Sequence, residues 1–469
     1  MKNTIVYKVV CAFVFCLYGV SINAKTLYVS SSVGNDNNTG IREDIPLSTI
    51  RKAISIADTI YLHAGDIFYE TLNVNGKYLS RYGEGTNPTI CGYRRLNSPR
   101  WEFQGNHVWK LNLLAPQFTG FPVIQSSMSN NICCIHEYDR DLIHGRKVRY
   151  RREMKSNWDF WQTEKINDAV SSDYDSLYLY YTGDPNKLDL EFSVYDTGIV
   201  CSNCTIDGIN LVGFGFGVSA KEHSIIKRCR VDAIGGRMVD EGWRYTCYGN
   251  GIEFYVSRNI HDCLVEDCYV SRCYDCGITI QASERGEASP KNIIIRNNLI
   301  SQCCEGWEDF LRNDPDVVYE NCVFESNTIV NSGDSGWGYP ASRFKYCHVL
   351  GNNVRGNKGM IIRNNTFAGG NYYCSGAYQG KYASNVWENN VCYIQRGDFI
   401  LGNYTGTKDV IRIPIDKGYY KSLNEATKVA IKEYRMLTGD MTTKFVICSP
   451  NSIKRKARKL ENKYIAKNK

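Results

Sequence analysis

Histidine is scarce in this chain, and long apolar segments are nearly absent. Seven histidines occur among 469 residues, which disfavours zinc at the two CxxC spacings, Cys201 with Cys204 and Cys273 with Cys276. The apolar run at residues 9–20 spans about 12 residues, whereas a membrane-spanning helix needs about 20. The sequence therefore predicts no transmembrane segment, and no metal ligands are assigned.

The chain also lacks an excess of positive charge along most of its length. The net charge is +7, of which the first 24 residues carry +2 and residues 451–469 carry +7, leaving about −2 for the rest. This distribution argues against nucleic acid as a partner. The basic end is expected to be a solvated tail.

The first 24 residues have the features of a signal peptide. Lys2 and Lys8 precede the apolar run, and Ala24 offers a small residue before Lys25. We expect residues 1–24 to be removed and the protein to be secreted or periplasmic, in a bacterium. The roughly 445 residues that remain exceed what one compact core organises, so the chain should contain several domains or an elongated repeat.

Six stretches share one pattern, a short apolar strand with a small polar residue at a fixed place. These residues, at intervals of 39, 30, 29, 38 and 25, are Cys229, Cys268, Asn298, Asn327, Asn365 and Asn390. A glycine followed by an apolar residue comes 8 or 9 positions after three of them, at Gly277, Gly306 and Gly336. Short strands in units of about 25–30 residues, without an intervening helix, predict the stacked coils of a solenoid.

Stacked asparagines bond to their copies in neighbouring coils. Cysteine is a small and easily buried substitute at such a position. We therefore predict Asn298, Asn327, Asn365 and Asn390 in equivalent turns of residues 200–395. Cys229 and Cys268 should be buried thiols of the same ladder.

The start of the chain after the signal peptide resembles that of secreted, pectin-lyase-like β-helix proteins. The matching segments are 27–30 (LYVS), 34–36 (GND), Gly40, 46–50 (PLSTI) and 65–66 (GD). The resemblance implies an all-β fold, a right-handed single-stranded parallel β-helix, with a helix at about 47–57 that caps the first coil. It implies residues 25–400 as the β-helix domain, and a carbohydrate-active function.

Residues 401–469 depart from the coil pattern. Helical spacing at 422–437 predicts a short C-terminal helical element, followed by the basic tail. We expect this segment to cap the last coil. The protein is expected to be a monomer.

The longest insertion in the periodic region, residues 235–249, marks the predicted substrate site. Cys229 and Gly251 are 22 residues apart instead of about 9. The insertion carries the predicted substrate-binding residues Arg237, Trp243, Arg244 and Tyr245, since aromatic faces stack on sugar rings and arginine meets hydroxyl or acidic groups. An ordinary surface loop is the alternative.

Strand alternation places candidate catalytic carboxylates beside that insertion. If Ile252 and Ile278 face inward, then Glu253, Thr279 and Glu308 face outward in register, with about 9–10 Å between the backbones of the two glutamates. Such a pair suits an inverting glycosidase. Asp275 and Asp334 are a second candidate pair of catalytic carboxylates, and Gln281 is a candidate substrate-binding residue. The same alternation predicts that Trp307 and Asp309 face inward.

Three functions remain open. The first is a glycoside hydrolase with paired carboxylates, acting on a polysaccharide. The second is a polysaccharide lyase, which needs a base and a cation for a uronate carboxylate; its candidates are Arg237, Arg244, His223 and His261. The Asp-Asp run of pectate lyase calcium sites and the Asp-Pro-His-Asp run of alginate epimerases are missing. The third is a non-catalytic glycan-binding or surface-structural β-helix. No cofactor is predicted, although calcium remains possible.

Overall fold

The computed structural model describes residues 24–95, 100–113, 132–140, 142–148, 150–162, 165–166, 169–170, 176–240, 245–255, 260–282, 290–311, 318–333, 337, 347–351, 358–369, 372–376, 384–395, 399–402 and 423–467. Three long parallel sheets run along these residues, and each coil contributes one strand to each sheet. The predicted all-β parallel β-helix is confirmed.

Sheets 1, 2 and 3 form the three walls of the solenoid. Sheet 1 consists of β1 (Thr26–Val29), β2 (Thr59–His63), β5 (Tyr78–Tyr82), β19 (Thr205–Asp207), β22 (Ile225–Lys227), β27 (His261–Glu266), β30 (Lys291–Arg296), β33 (Val323–Glu325), β36 (Lys358–Arg363) and β39 (Ser384–Glu388). Sheet 2 consists of β3 (Ile67–Phe68), β6 (Thr89–Cys91), β20 (Asn210–Val212), β23 (Arg230–Ile234), β28 (Tyr269–Cys273), β31 (Leu299–Ser301), β34 (Thr328–Val330), β37 (Thr366–Ala368), β40 (Val391–Gln395) and β42 (Lys444–Cys448). Sheet 3 consists of β4 (Leu72–Asn75), β18 (Thr197–Ser202), β21 (Phe216–Ala220), β26 (Ile252–Tyr255), β29 (Cys276–Ala282), β32 (Glu305–Leu311), β35 (Cys347–Gly351), β38 (Tyr372–Gly376) and β41 (Phe399–Gly402).

The core lies inside the coils, where apolar side chains stack in register. One such row in sheet 1 runs through Ile206, Ile226, Val265, Ile295, Phe324, Ile362 and Trp387, all buried. Each row removes apolar surface from water from one coil to the next. A single coil could not bury these residues alone, so the stack is the folding unit.

The corner between sheets 1 and 2 repeats one backbone conformation. The residues before Ile209 and before the six ladder positions have φ between +52° and +68°; they are Gly208, Arg228, Asp267, Asn297, Ser326, Asn364 and Asn389. After this left-handed residue comes the ladder side chain. Asn327 Oδ1 accepts bonds from the backbone N–H (2.9 Å) and the side-chain amide (3.0 Å) of Asn298, while Asn327 Nδ2 donates to the carbonyl of Ile295 (3.0 Å).

Asn365 and Asn390 continue the same ladder with the same contacts, which confirms the predicted asparagine stack. Cys229 and Cys268 extend it toward the N-terminus. Their thiols lie 3.7 and 3.6 Å from carbonyls of the preceding coil, those of Ile206 and Ile226, as the asparagine amides do. Both cysteines are buried and unbridged, so their predicted placement is also confirmed.

A mostly antiparallel insertion interrupts the solenoid between β6 and β18. One of its sheets pairs β7 (Tyr93–Arg95), β17 (Leu190–Ser193), β10 (Ile135–Glu137) and β11 (Leu142–His144). A second contains β8 (Trp101–Phe103), β9 (Val108–Asn112), β16 (Ser176–Tyr180), β13 (Asp159–Trp161) and β12 (Arg146–Lys147), and β14 (Lys165–Ile166) pairs with β15 (Ala169–Val170). Short 3₁₀ turns lie at Tyr138–Arg140, Arg151–Glu153 and Pro185–Lys187. The repeat pattern did not indicate this insertion, which has its own apolar core.

Helices lie at both ends of the described solenoid. The capping helix α1 (Ile50–Ile54) begins after Thr49, whose side chain accepts a bond from the N–H of Lys52. The predicted C-terminal helix is α2 (Leu423–Thr438). The basic end is not a solvated tail as expected: it forms α3 (Pro450–Lys467), which buries Ile453 and Ala457 against sheet 2. Of the helices described, none has the length and apolarity needed to cross a bilayer.

Candidate functional site

The outer face of sheet 3 carries the predicted glutamates. Ile252, Ile278 and Trp307 lie in register and face the core. The next residue of each strand points the other way, which places Glu253, Thr279 and Glu308 in one row. Glu253 and Glu308 are therefore two strands apart, as expected, although both are only 8% exposed.

Glu253 is held by two amide groups. Asn250 Nδ2 donates to Glu253 Oε2 at 2.7 Å, and Gln281 Nε2 donates to the same oxygen at 2.8 Å. Asn250 is itself fixed, because its Oδ1 accepts the backbone N–H of Cys276 at 3.2 Å. Burial raises the pKa of Glu253 to about 7, against the lowering effect of the two amides. This carboxyl therefore titrates near neutral pH.

Glu308 has a different environment. Thr279 Oγ1 donates to Glu308 Oε2 at 3.1 Å. Burial raises the pKa of Glu308 well above its usual range, and the negative charge of Asp275 raises it further. These surroundings favour the protonated form of Glu308.

Asp275 and Glu305 form a carboxyl pair at the start of the same strands. Burial raises the pKa of Asp275 to about 6, and a hydrogen bond with Glu305 opposes the increase. Burial and the charge of Asp275 raise the pKa of Glu305 well above normal. The shifts thus favour the proton on Glu305 over Asp275, and the negative charge of Asp275 raises the pKa of Glu308.

Arg237, at the start of the hairpin β24 (Arg237–Asp240) and β25 (Tyr245–Tyr248), is neutralised by a carboxylate. Its guanidinium lies 2.5 Å from Asp196 Oδ1 and 5.7 Å from the centre of the Phe216 ring. Burial raises the pKa of Asp196, and Arg237 opposes that effect. Because the Asp196 charge also acts on Glu253, this ion pair belongs to the surroundings of the site.

The structure describes only some of the other predicted site residues. Gln281 is in the site, in contact with Glu253. Trp243, Arg244 and Asp334 lie outside the described residues, and Tyr245 is described only as part of strand β25. The roles assigned to all of these residues stay predictions.

His223 and His261, candidates for lyase chemistry, lie elsewhere, at the corner between sheets 3 and 1. Sequence reasoning missed two contributors to the site, Asn250 and Glu305. The position of Asn250, between two glycines just before β26, was a usable signal for a residue at the entry of the strand.

No protein-family model and no curated protein matches this chain. Among solved structures, it is similar to XylC in complex with xylose (14% identity, 81% of this chain and 70% of that chain, TM-score 0.44). It is also similar to an alginate lyase from Paenibacillus sp. strain FPU-7 (11% identity, 81% and 91%, TM-score 0.41) and to a GH136 lacto-N-biosidase from Eubacterium ramulus (11% identity, 91% and 67%, TM-score 0.34). The predicted likeness to pectin-lyase-like β-helix proteins is confirmed for the fold, and function has to be argued from the side chains of the chain itself.

Proposed function

We propose that this protein is a secreted glycoside hydrolase that cleaves a polysaccharide with inversion, with Glu308 as general acid and Glu253 as general base. The observation that supports this most is the pair itself, two buried carboxyls on one sheet face, two strands apart. The pKa of Glu253 is raised to about 7 and that of Glu308 well above its usual range. Divergent environments of this kind assign acid and base roles in known glycosidases.

The geometry suits a water molecule between the two groups. Neighbouring strands are about 4.8 Å apart, so the backbones of Glu253 and Glu308 are separated by about 9–10 Å. Inverting enzymes hold their carboxyls roughly 6.5–9.5 Å apart, whereas retaining enzymes hold them about 5–5.5 Å apart. Glu308 would protonate the leaving oxygen, and ionised Glu253 would remove a proton from water on the opposite side of the sugar.

The amides around Glu253 support its role as the base. Asn250 and Gln281 both donate to one oxygen, Oε2. The other oxygen, Oε1, can then accept a proton from water. In this arrangement the amides fix the orientation of the carboxylate before substrate arrives.

Lyase chemistry fits the described residues less well. It needs a cation that neutralises a uronate carboxylate. Arg237 is the described arginine beside this face, and Asp196 already pairs with it. The two candidate histidines lie at a corner of the solenoid with an aspartate of their own.

The test is an activity screen with matched variants. The purified protein is incubated with a panel of neutral and acidic polysaccharides, and both new reducing ends and the ultraviolet absorbance of unsaturated uronates are measured. Hydrolysis should give reducing ends alone. Glu253→Gln and Glu308→Gln should each reduce turnover by about 100-fold or more, the usual contribution of a positioned acid or base.

Glu266→Gln is the matched control. Glu266 also lies on a sheet strand, but it is partly exposed and pairs with Arg296 at 2.6 Å on sheet 1. This variant should keep wild-type turnover, and the first product seen by NMR should have the inverted anomeric configuration. Ultraviolet absorbance would identify a lyase instead. A retained anomer would exclude the direct attack of water on the substrate, and full activity of both site variants would end the assignment.

A further inference from the structure

Two of the seven histidines of the chain stack at one corner of the solenoid, between sheets 3 and 1. The backbone N–H of His223 donates to the carbonyl of His261 in the next coil at 3.0 Å, which places the two residues one above the other. Their rings are 4.6 Å apart and perpendicular. The coil stack thus fixes the spacing of two imidazoles that are 38 positions apart in the sequence.

A carboxylate completes this corner. Asp262 Oδ2 lies 2.8 Å from Nδ1 of His261 and 3.7 Å from Nδ1 of His223. Its other oxygen, Oδ1, accepts a hydrogen bond from Asn292 Nδ2 at 2.8 Å, and this bond orients the carboxylate. The two ring nitrogens and the carboxylate oxygen all lie within 4.8 Å of one another.

We propose that His223, His261 and Asp262 form a binding site for a divalent transition-metal ion of the zinc type, a site separate from the carboxylates of sheet 3. Two imidazole nitrogens and one carboxylate oxygen are donors that zinc, nickel and cobalt accept, whereas magnesium and calcium prefer sites made of oxygen alone. Zinc–nitrogen and zinc–oxygen bonds are about 2.0–2.2 Å long. Small side-chain rotations would therefore bring all three atoms onto one ion.

The surroundings leave room for further ligands. The side chains of His223, His261 and Asp262 are 49%, 36% and 46% exposed, so solvent reaches the site. Three protein ligands with water in the remaining position characterise open zinc sites rather than closed structural ones. Asn292 supplies the outer hydrogen bond that such sites commonly have. The ion would also link two consecutive coils.

Titration calorimetry with Zn²⁺ and Ni²⁺ on the purified protein tests the site, with Mg²⁺ and Ca²⁺ run in parallel. We expect one zinc-type ion per chain and no comparable binding of Mg²⁺ or Ca²⁺. The variants His223→Asn, His261→Gln and Asp262→Asn should each weaken the affinity about tenfold or more. Asparagine is chosen at positions 223 and 262 because both have positive φ, which asparagine tolerates.

His63→Gln is the matched control. His63 contacts one carboxylate, that of Asp66, at 3.4 Å between Nδ1 and Oδ1, but it has no second imidazole beside it in the described residues. This variant should bind the ion as the wild type does. Circular dichroism of each variant confirms that its fold is retained.

Cobalt distinguishes these ligands from cysteine. Co²⁺ bound by imidazole and carboxylate gives visible ligand-field bands without the near-ultraviolet charge-transfer band of thiolates. At a cobalt concentration that just saturates the wild type, the visible bands should be much weaker in His261→Gln and unchanged in His63→Gln. A thiolate band, equal affinity in wild type and all three ligand variants, or no binding of any transition ion would each overturn the proposal.

Discussion

Asp309 allows a quantitative test of how much a charge inside the solenoid lowers the free energy of unfolding. The residue lies on β32 and faces the core, as alternation predicted, and it is 2% exposed. Asn385 Nδ2 donates to Asp309 Oδ2 at 3.1 Å, while Oδ1 has no hydrogen-bond partner among the described residues. Burial raises the pKa of Asp309 to about 7. The perturbation is Asp309→Asn, which keeps the shape and removes the charge.

The sign of the effect follows from the direction of the pKa shift. The folded state holds the proton of Asp309 more tightly than the unfolded state does. Asp309 therefore does not lower the free energy of unfolding at a pH below 3.8, the ordinary pKa of an aspartate. The loss in the free energy of unfolding grows as the pH rises toward 7, and it is constant above pH 7. A shift of about 3 units corresponds to roughly 4 kcal/mol. The stability advantage of Asp309→Asn over wild type should therefore increase by roughly 3.5 kcal/mol between pH 4 and pH 7.5.

Urea denaturation at a series of pH values, followed by circular dichroism, measures this advantage. Wild type and Asp309→Asn share the other buried carboxyls, which are Glu253, Asp275, Glu305 and Glu308. Subtracting the free energy of unfolding of the wild type from that of the variant therefore largely removes the contribution of these groups. Asp58→Asn, at an exposed position, is the control and should show no such pH-dependent gain. A difference that stays constant with pH, or that decreases as pH rises, would show that burial does not raise the pKa of Asp309.

Three other predictions concern the ladder and the site. Asn327→Ala should reduce the free energy of unfolding by about 3 kcal/mol or more, because it leaves several buried groups without partners, whereas Asn327→Cys should cost less than half as much in urea denaturation. Cys229 and Cys268 should resist alkylation in the native protein and react after unfolding, as mass spectrometry would show. Asp275→Asn removes the charge that raises the pKa of Glu308, so the alkaline limb of kcat/KM in a pH–rate profile should move to lower pH.

The coils were predictable because their corners require particular residues. A left-handed residue followed by a small buried hydrogen-bonding residue recurs at each turn, as with Asn297 and Asn298 or Asn364 and Asn365. Such pairs are visible in a sequence without any structure. The row of Glu253, Thr279 and Glu308 followed from the same periodicity, since one strand fixes the register of the next.

The protonation states of the site were not predictable in this way. Alternation gives the side of the sheet on which a residue lies, and an outward glutamate is expected to be solvated. Glu253 and Glu308 are instead nearly buried, and that burial is the first cause of both pKa shifts. The neighbours that modify the shifts, Asn250 and Asp196, precede the strands and belong to no repeat.

The antiparallel insertion helps to explain why the repeat pattern did not predict the surroundings of the site. Lys147 of the insertion donates to the carbonyls of Ile132 (2.6 Å) and Gly236 (3.2 Å). Gly236 has φ +86°, and a Cβ there would lie 2.1 Å from the carbonyl oxygen of Cys133, so the insertion and the hairpin approach too closely for any larger residue. This contact lies one residue before Arg237. The insertion therefore fixes the base of the hairpin that brings Arg237 to Asp196. One border of the face that carries Glu253 and Glu308 thus depends on residues about 90 to 100 positions earlier in the chain, which interrupt the solenoid instead of extending it.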